Sequence, residues 1–142
     1  MRKIGIWIAA ALLMCCAGCS RNNDTKSGEK AAAGYRQIST AEAAAMMEKD
    51  DGHLVIDVRR ADEYAEGHIP GAINIPNESI GSERPAELPD SGQILLVHCR
   101  SGVRSKQAAE KLAAMGYTNV YDFGGILSWK GDLISGSTPF GE

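Results

Sequence analysis

A layered α/β domain built on a parallel sheet is the fold class that the sequence predicts, and three observations predict it. Short apolar stretches alternate with segments of helical composition along residues 35–142. The most apolar of them, "ILLVHC", is a continuous run of the kind found in a strand buried on both faces of a parallel sheet. A loop and an amphipathic segment follow it directly, and strands joined by helices form right-handed crossovers that cover both faces of the sheet.

Each element has a local cause. "RQIS" reads as a short strand leading into "STAEAAAMMEKDDG", where Ser39 and Glu42 have capping-box spacing and Gly52 can close the helix. "HLVIDVR" reads as a buried strand, "ADEYAEG" as one or two helical turns ended by Gly67, and "AINIP" as a strand stopped by Pro76. "NESIGSERPAELPDSGQ" is mostly loop, with a short helix near residues 77–80, before the strand that runs from about Gln93 to His98. Beyond it, Val103, Ala108, Leu112 and Met115 form one face of a helix, with Lys106, Gln107, Glu110 and Lys111 on the other and Gly116 as the cap. "NVYDF" supplies a fifth strand and "GGILSWKG" a last short helix.

Composition limits the rest. A chain of 142 residues, 44% hydrophobic and 23% charged, holds one folded domain. Its formal charge of −3 lacks the concentrated basic face that nucleic acid requires, so no nucleic-acid partner is expected; a monomer is the expected state. The N-terminus stands apart: "MRK" and the apolar run "IGIWIAAALLM" form a charged n-region and an h-region too short for a comfortable bilayer span, so residues 1–18 read as an export signal. "CCAGC" ends in Ala17, Gly18 and Cys19, which resembles the lipobox of bacterial lipoproteins, where the cysteine is acylated and begins the mature chain. Cys16 stands where that box usually has Leu, and an uncleaved anchor or ordinary signal cleavage are the other readings. Residues 19–34, polar beyond the lipidated Cys19, have the composition of a flexible tether. The expected location is the bacterial cell envelope, exported and membrane-anchored through the N-terminal lipid.

Cysteine usage then narrows the chemistry. Cys15 and Cys16 leave with the signal and Cys19 carries lipid, so the domain at residues 35–142 keeps Cys99 alone, with no disulfide partner. No Cys-x-x-Cys lies within the domain and His53, His68 and His98 lack ligand spacing, so no metal or other cofactor is expected. In parallel α/β sheets ligands bind outside the carboxyl ends of the strands. Cys99 ends a strand there, and "RSGVRS" carries the chain into the next helix, so backbone N–H groups and the helix dipole converge on one point and favour an anion such as the Cys99 thiolate.

These residues carry a family resemblance. "VIDVRRADEYAEGHIPGAINIP", "HCRSGVRS" and "FGGILSWKG" are similar to three ordered motifs of rhodanese domains, spanning residues 36 to about 131. The resemblance implies a three-layer fold with a five-stranded parallel sheet and helices on both faces. It also implies a sulfurtransferase: Cys99 takes the sulfane sulfur of thiosulfate or a similar small anionic donor, becomes a persulfide, and passes the sulfur to cyanide or to a thiol, including a protein thiol. In that reading the loop Arg100, Ser101, Gly102, Val103, Arg104 and Ser105 cradles the persulfide, and Arg100 and Arg104 bind the dianionic donor and the departing sulfite. The two arginines favour thiosulfate over 3-mercaptopyruvate, whose dedicated enzymes tend to carry Gly where Arg100 stands.

The Cys-x4-Arg spacing from Cys99 to Arg104 is one residue shorter than in rhodanese-like phosphatases and arsenate reductases, and a shorter cradle suits a sulfur atom better than a tetrahedral oxyanion. A membrane-anchored persulfide carrier, or a sulfur- or oxidant-sensing module without fast turnover, is the alternative from another class. Asp57 and Arg59 border the pocket by resemblance, either steering substrate or forming a structural ion pair with Glu63. His68 reads as a histidine holding a turn, Arg60 as surface, Ser105 as a helix N-cap, and Phe123 and Trp129 as core. His98 points away from Cys99 by strand alternation.

Overall fold

The strand that ends at the cysteine lies in the middle of the sheet. In the computed structural model, which describes residues 34–142, five strands run in the order β1-β5-β4-β2-β3 and every pairing is parallel. They are β1 (Tyr35–Gln37), β2 (Leu54–Asp57), β3 (Ile73–Asn74), β4 (Ile94–Cys99) and β5 (Asn119–Gly125). Helices α1 (Thr40–Met47), α2 (Ala61–Glu66) and α3 (Val103–Ala114) connect them, with 3-10 turns at Asn77–Ser79 and Ile126–Ser128. The signal, the tether and Cys19 lie outside the described residues.

The alternation of side chains along β4 divides the core in two. Leu95, Val97 and Cys99 face the layer formed by α3, where Ala108, Ala109 and Leu112 pack with Tyr117, Leu88 and Ile80. Leu96 faces the opposite layer, with Ala43 of α1, Tyr64 of α2, Val55 and Phe123. Both faces of β4 are therefore apolar, which is why its sequence shows no polar alternation.

Local chemistry sets the ends of the elements. Ser39 caps α1 in a full capping box: its hydroxyl accepts the Glu42 N–H at 3.1 Å, and the Glu42 carboxylate accepts the Ser39 N–H at 2.7 Å. The helix stops at Met47, well short of Gly52, because Glu48 closes it and the following Asp51 caps the turn by accepting the His53 N–H. In α3 the inward face is Ser105, Ala108, Ala109 and Leu112, whereas Val103, expected on that face, is 64% exposed. Val103 is the first residue of the helix, where the chain has only just left the loop.

Along β5 the pairing with β4 slips: Val97 opposes Asp122, but Cys99 opposes Gly125. The extra residue is accommodated at Gly124, with φ at +84° and its N–H held by the Asp122 carboxylate at 3.0 Å. A bulge of this kind re-aims the backbone beside a site. Here it swings the end of β5 over the loop that follows Cys99.

Candidate active site

Cys99 ends β4 at the carboxyl edge of the sheet, where the loops after β2 and β4 meet. Its thiol is buried, with the residue 1% exposed, and its sulfur accepts the Gly102 N–H at 3.0 Å. Gly102 stands immediately before α3 with φ at +104°, a left-handed conformation that turns its amide back toward the sulfur. The helix is therefore capped by a glycine backbone. Ser105, expected as the N-cap, lies inside the first turn, buried, with its hydroxyl within reach of the Gly102 carbonyl at 3.1 Å and the Gly124 carbonyl at 3.3 Å. It ties the loop to β5 instead of capping the helix.

A second brace acts on the other side of the loop. The Leu127 N–H donates to the Arg100 carbonyl at 3.3 Å, and Gly125 lies so close that a Cβ there would stand 2.2 Å from the Arg100 oxygen. The Gly124-Gly125 pair thus has two separate jobs: the first takes the positive φ of the bulge, and the second admits the loop's backbone.

The charged residues are arranged differently from expectation. Arg59 does not pair with Glu63. Its guanidinium is buried against Asp57, with Nη2 to Oδ2 at 2.6 Å and Nε to both carboxylate oxygens at 3.0 Å, and Nη2 also donates to the Gly67 carbonyl at 2.7 Å. The physical reason is proximity along one strand end: residues two apart on an extended chain share a face, and the Arg59 N–H also reaches Asp57 Oδ1 at 3.0 Å. Asn74 adds its amide to the Asp57 and Arg59 carbonyls, at 3.0 and 2.9 Å, and fixes this corner.

Glu63 instead takes Arg104. Nη1 donates to Oε2 at 2.7 Å and Nη2 to Oε1 at 2.9 Å, a two-pronged pair joining α2 to α3. The Arg104 hydrogen bonds, together with the Arg60 N–H at 3.1 Å, hold the Glu63 carboxyl at about 2, against its ordinary value of 4.5. No sequence spacing announces a contact over 41 residues. One general signal exists, because a parallel sheet places every βα loop on the same edge, so an acidic residue opening α2 faces arginines opening α3. Arg60 is exposed and pairs with Asp62. Arg100 is exposed, and among the described residues it makes no ion pair.

His98 points away from Cys99. Its ring is fully buried against Phe123, with centroids 5.0 Å apart, and Nε2 lies 3.8 Å from Asp57 Oδ2. Burial pushes its imidazole below the ordinary value of 6.5, partly offset by the Asp57 charge. His68 stacks on Tyr64 at 3.8 Å and its Nδ1 lies 3.0 Å from the Tyr64 carbonyl, while its backbone forms an antiparallel bridge with Ile134. It holds the turn after α2. Phe123 is buried, and Trp129 is half-buried and packs against the α1 and α2 layer.

The site can therefore present one sulfur, steadied by an amide, with the exposed Arg100 next to it in sequence and without an ion pair among the described residues. Comparisons with known proteins identify the family. The family model described as "Rhodanese-like domain" matches residues 39–132. A thiosulfate sulfurtransferase from Escherichia coli, PspE, is 41% identical over 71 residues, 50% of this chain and 68% of its own. A putative sulfurtransferase from Bacillus subtilis, YtwF, is 35% identical over 97 residues, covering 68% of this chain and 92% of its own. Among solved structures, a rhodanese from E. coli with bound anions shares 39% identity at a TM-score of 0.55, covering 59% of this chain and 99% of that one. A rhodanese-like domain protein from Staphylococcus aureus shares 34% at a TM-score of 0.57, covering 68% and 91%.

Proposed function

Because the chain belongs to the rhodanese-like domain family, with sulfurtransferases among its relatives, we propose that it moves sulfane sulfur through a persulfide on Cys99. The observation that carries this reading is the Cys99 sulfur receiving the Gly102 N–H at 3.0 Å, inside a loop braced by α2 on one side and β5 on the other. With thiosulfate, the thiolate attacks the outer sulfur, the donor's S–S bond breaks, and sulfite leaves with the electron pair. In the second half-reaction cyanide, or a thiol, attacks the terminal sulfur of the persulfide, and Cys99 regains its thiolate while thiocyanate or a new persulfide departs. A thiolate and a sulfane sulfur need no general base, which agrees with His98 packing its ring against Phe123 on the face away from the sulfur.

The same proposal places the domain at the cell envelope, tethered through a lipidated Cys19, with thiols of that compartment as acceptors. Anchoring is tested by metabolic labelling with a clickable fatty acid, which labels the wild type and spares Cys19→Ser.

The chemistry is tested by mixing the purified protein with thiosulfate and reading its intact mass. One added sulfur, removed by cyanide and absent from Cys99→Ser, is the expected result. Persulfide formation without turnover would instead favour a carrier or sensor. Hydrolysis of an aryl phosphate without sulfur uptake would favour a phosphatase and end the proposal.

A further inference from the structure

Four guanidiniums belong to the carboxyl edge of the sheet, and three of them are already neutralised, Arg60 by Asp62. Arg59 is satisfied by the buried Asp57 carboxylate and the Gly67 carbonyl. Arg104 is held by both oxygens of Glu63, at 2.7 and 2.9 Å, with the two side chains only 25% and 21% exposed. The Glu63 carboxylate is in turn fixed by the Arg60 N–H at 3.1 Å, so the acidic end of the pair is anchored. Arg100, next to the cysteine, is exposed and has no carboxylate partner among the described residues.

We propose that Glu63 is a specificity-determining residue: by occupying Arg104 it leaves one positive charge at the mouth of the site and so lowers the advantage of doubly charged over singly charged sulfane donors. Thiosulfonate anions and organic persulfide anions are donors of the singly charged class. Doubly charged thiosulfate gains from Arg100 alone, because the Glu63 carboxylate cancels the charge of Arg104. The inference rests on the sulfurtransferase reading above and names the donor class within it. A singly charged donor follows the same chemistry: from methanethiosulfonate the Cys99 thiolate takes the terminal sulfur, the S–S bond breaks, and methanesulfinate leaves with the electron pair. Coulombic repulsion scales with donor charge, so Glu63 penalises a dianion twice as strongly, in free energy, as a monoanion.

The test compares thiosulfate with methanethiosulfonate on the full chain at low ionic strength. Glu63→Gln keeps the shape and a hydrogen bond to Arg104 but removes the charge. For two unit charges roughly 7 Å apart in a nearly aqueous dielectric, each donor charge is worth about three-fold. The kcat/KM for methanethiosulfonate then rises about three-fold and that for thiosulfate about ten-fold. Equal changes for the two donors, or equal losses, would overturn the proposal, because a merely structural Glu63 affects both alike. A second measurement does not depend on that variant's folding: the salt dependence of thiosulfate kcat/KM disappears in Arg100→Gln if Arg100 is the operative charge. Wild-type salt dependence in Arg100→Gln assigns the donor to Arg104 and refutes the inference. If Cys99 takes sulfur from neither donor, the sulfurtransferase reading itself fails. If it takes sulfur from both with an unchanged ratio, only the role of Glu63 fails.

Discussion

Replacing Gly125 by alanine adds one methyl group at the place where β5 crosses the cysteine loop. That Cβ would lie 2.2 Å from the Arg100 carbonyl oxygen, and 2.7 Å from both the Arg100 carbonyl carbon and the Ser101 Cα. All three are backbone atoms, so no rotamer change relieves the contact, and the loop must retreat by about 1 Å. The backbone of Gly125, with φ at −121° and ψ at 145°, suits alanine, so the whole effect comes from the collision. Retreat lengthens the 3.0 Å Gly102 contact to the sulfur, and a displacement of that size costs about a hundred-fold in a positioned reaction. Overpacking itself costs about 1–3 kcal/mol of stability. Gly124→Ala is the control: its φ of +84° makes alanine strained, but nothing lies within 4 Å of the added carbon. It should lose stability by about 1–2 kcal/mol with the loop left in place. Rapid-quench intact mass after mixing with thiosulfate gives the single-turnover rate, and thermal unfolding gives the stability. A Gly125→Ala rate within about three-fold of the wild type would refute the reasoning, since the loop would then tolerate the shift without consequence.

Other perturbations separate folding from chemistry. Ser39→Ala breaks the capping box of α1 and should cost about 1 kcal/mol in denaturant unfolding, with persulfide formation unchanged. Asp57→Asn leaves the Arg59 guanidinium buried without its counter-charge, and a loss of about 3–5 kcal/mol is expected in the same measurement. Acid should destabilise the protein through Glu63: its carboxyl is depressed to about 2 in the fold against 4.5, so the stability it contributes is present above pH 4.5 and is lost as pH falls toward 2. Urea midpoints at pH 5 and pH 3 should therefore differ less in Glu63→Gln than in the wild type. His98 adds an earlier component of the same sign, because its lowered pKa means that the unfolded chain takes up a proton first as pH falls below 6.5. His98→Asn should flatten the stability profile between pH 7 and pH 5.

What the sequence disclosed was local. The run "ILLVHC" reports its own burial, and Ser39 with Glu42 reports its own cap, because the partners lie within a few residues. The cysteine, its loop and the helix beyond it follow from the same short-range logic. What remained hidden depended on partners brought together by the sheet. Arg104 looks like a free anion-binding cation until α2 sets Glu63 against it, and Arg59 looks available to Glu63 until the end of β2 turns Asp57 toward it. Ser105 follows the composition rule for an N-cap, but the left-handed Gly102 starts the helix earlier and leaves the serine inside. Val103 fits the apolar period and is exposed because that period applies only after the first turn has wound.

The central place of β4 has a kinetic corollary. Hydrogen-bonded to β2 on one side and β5 on the other, its amides from Leu95 to Val97 are expected to exchange with solvent only on unfolding of the whole domain, whereas those of the exposed Arg100 and Ser101 are expected to exchange through local breathing, which hydrogen exchange would read. Cys99 thus sits on a boundary between slowly and rapidly exchanging hydrogens among the described residues, its Cα in the protected strand and its sulfur turned to the loop.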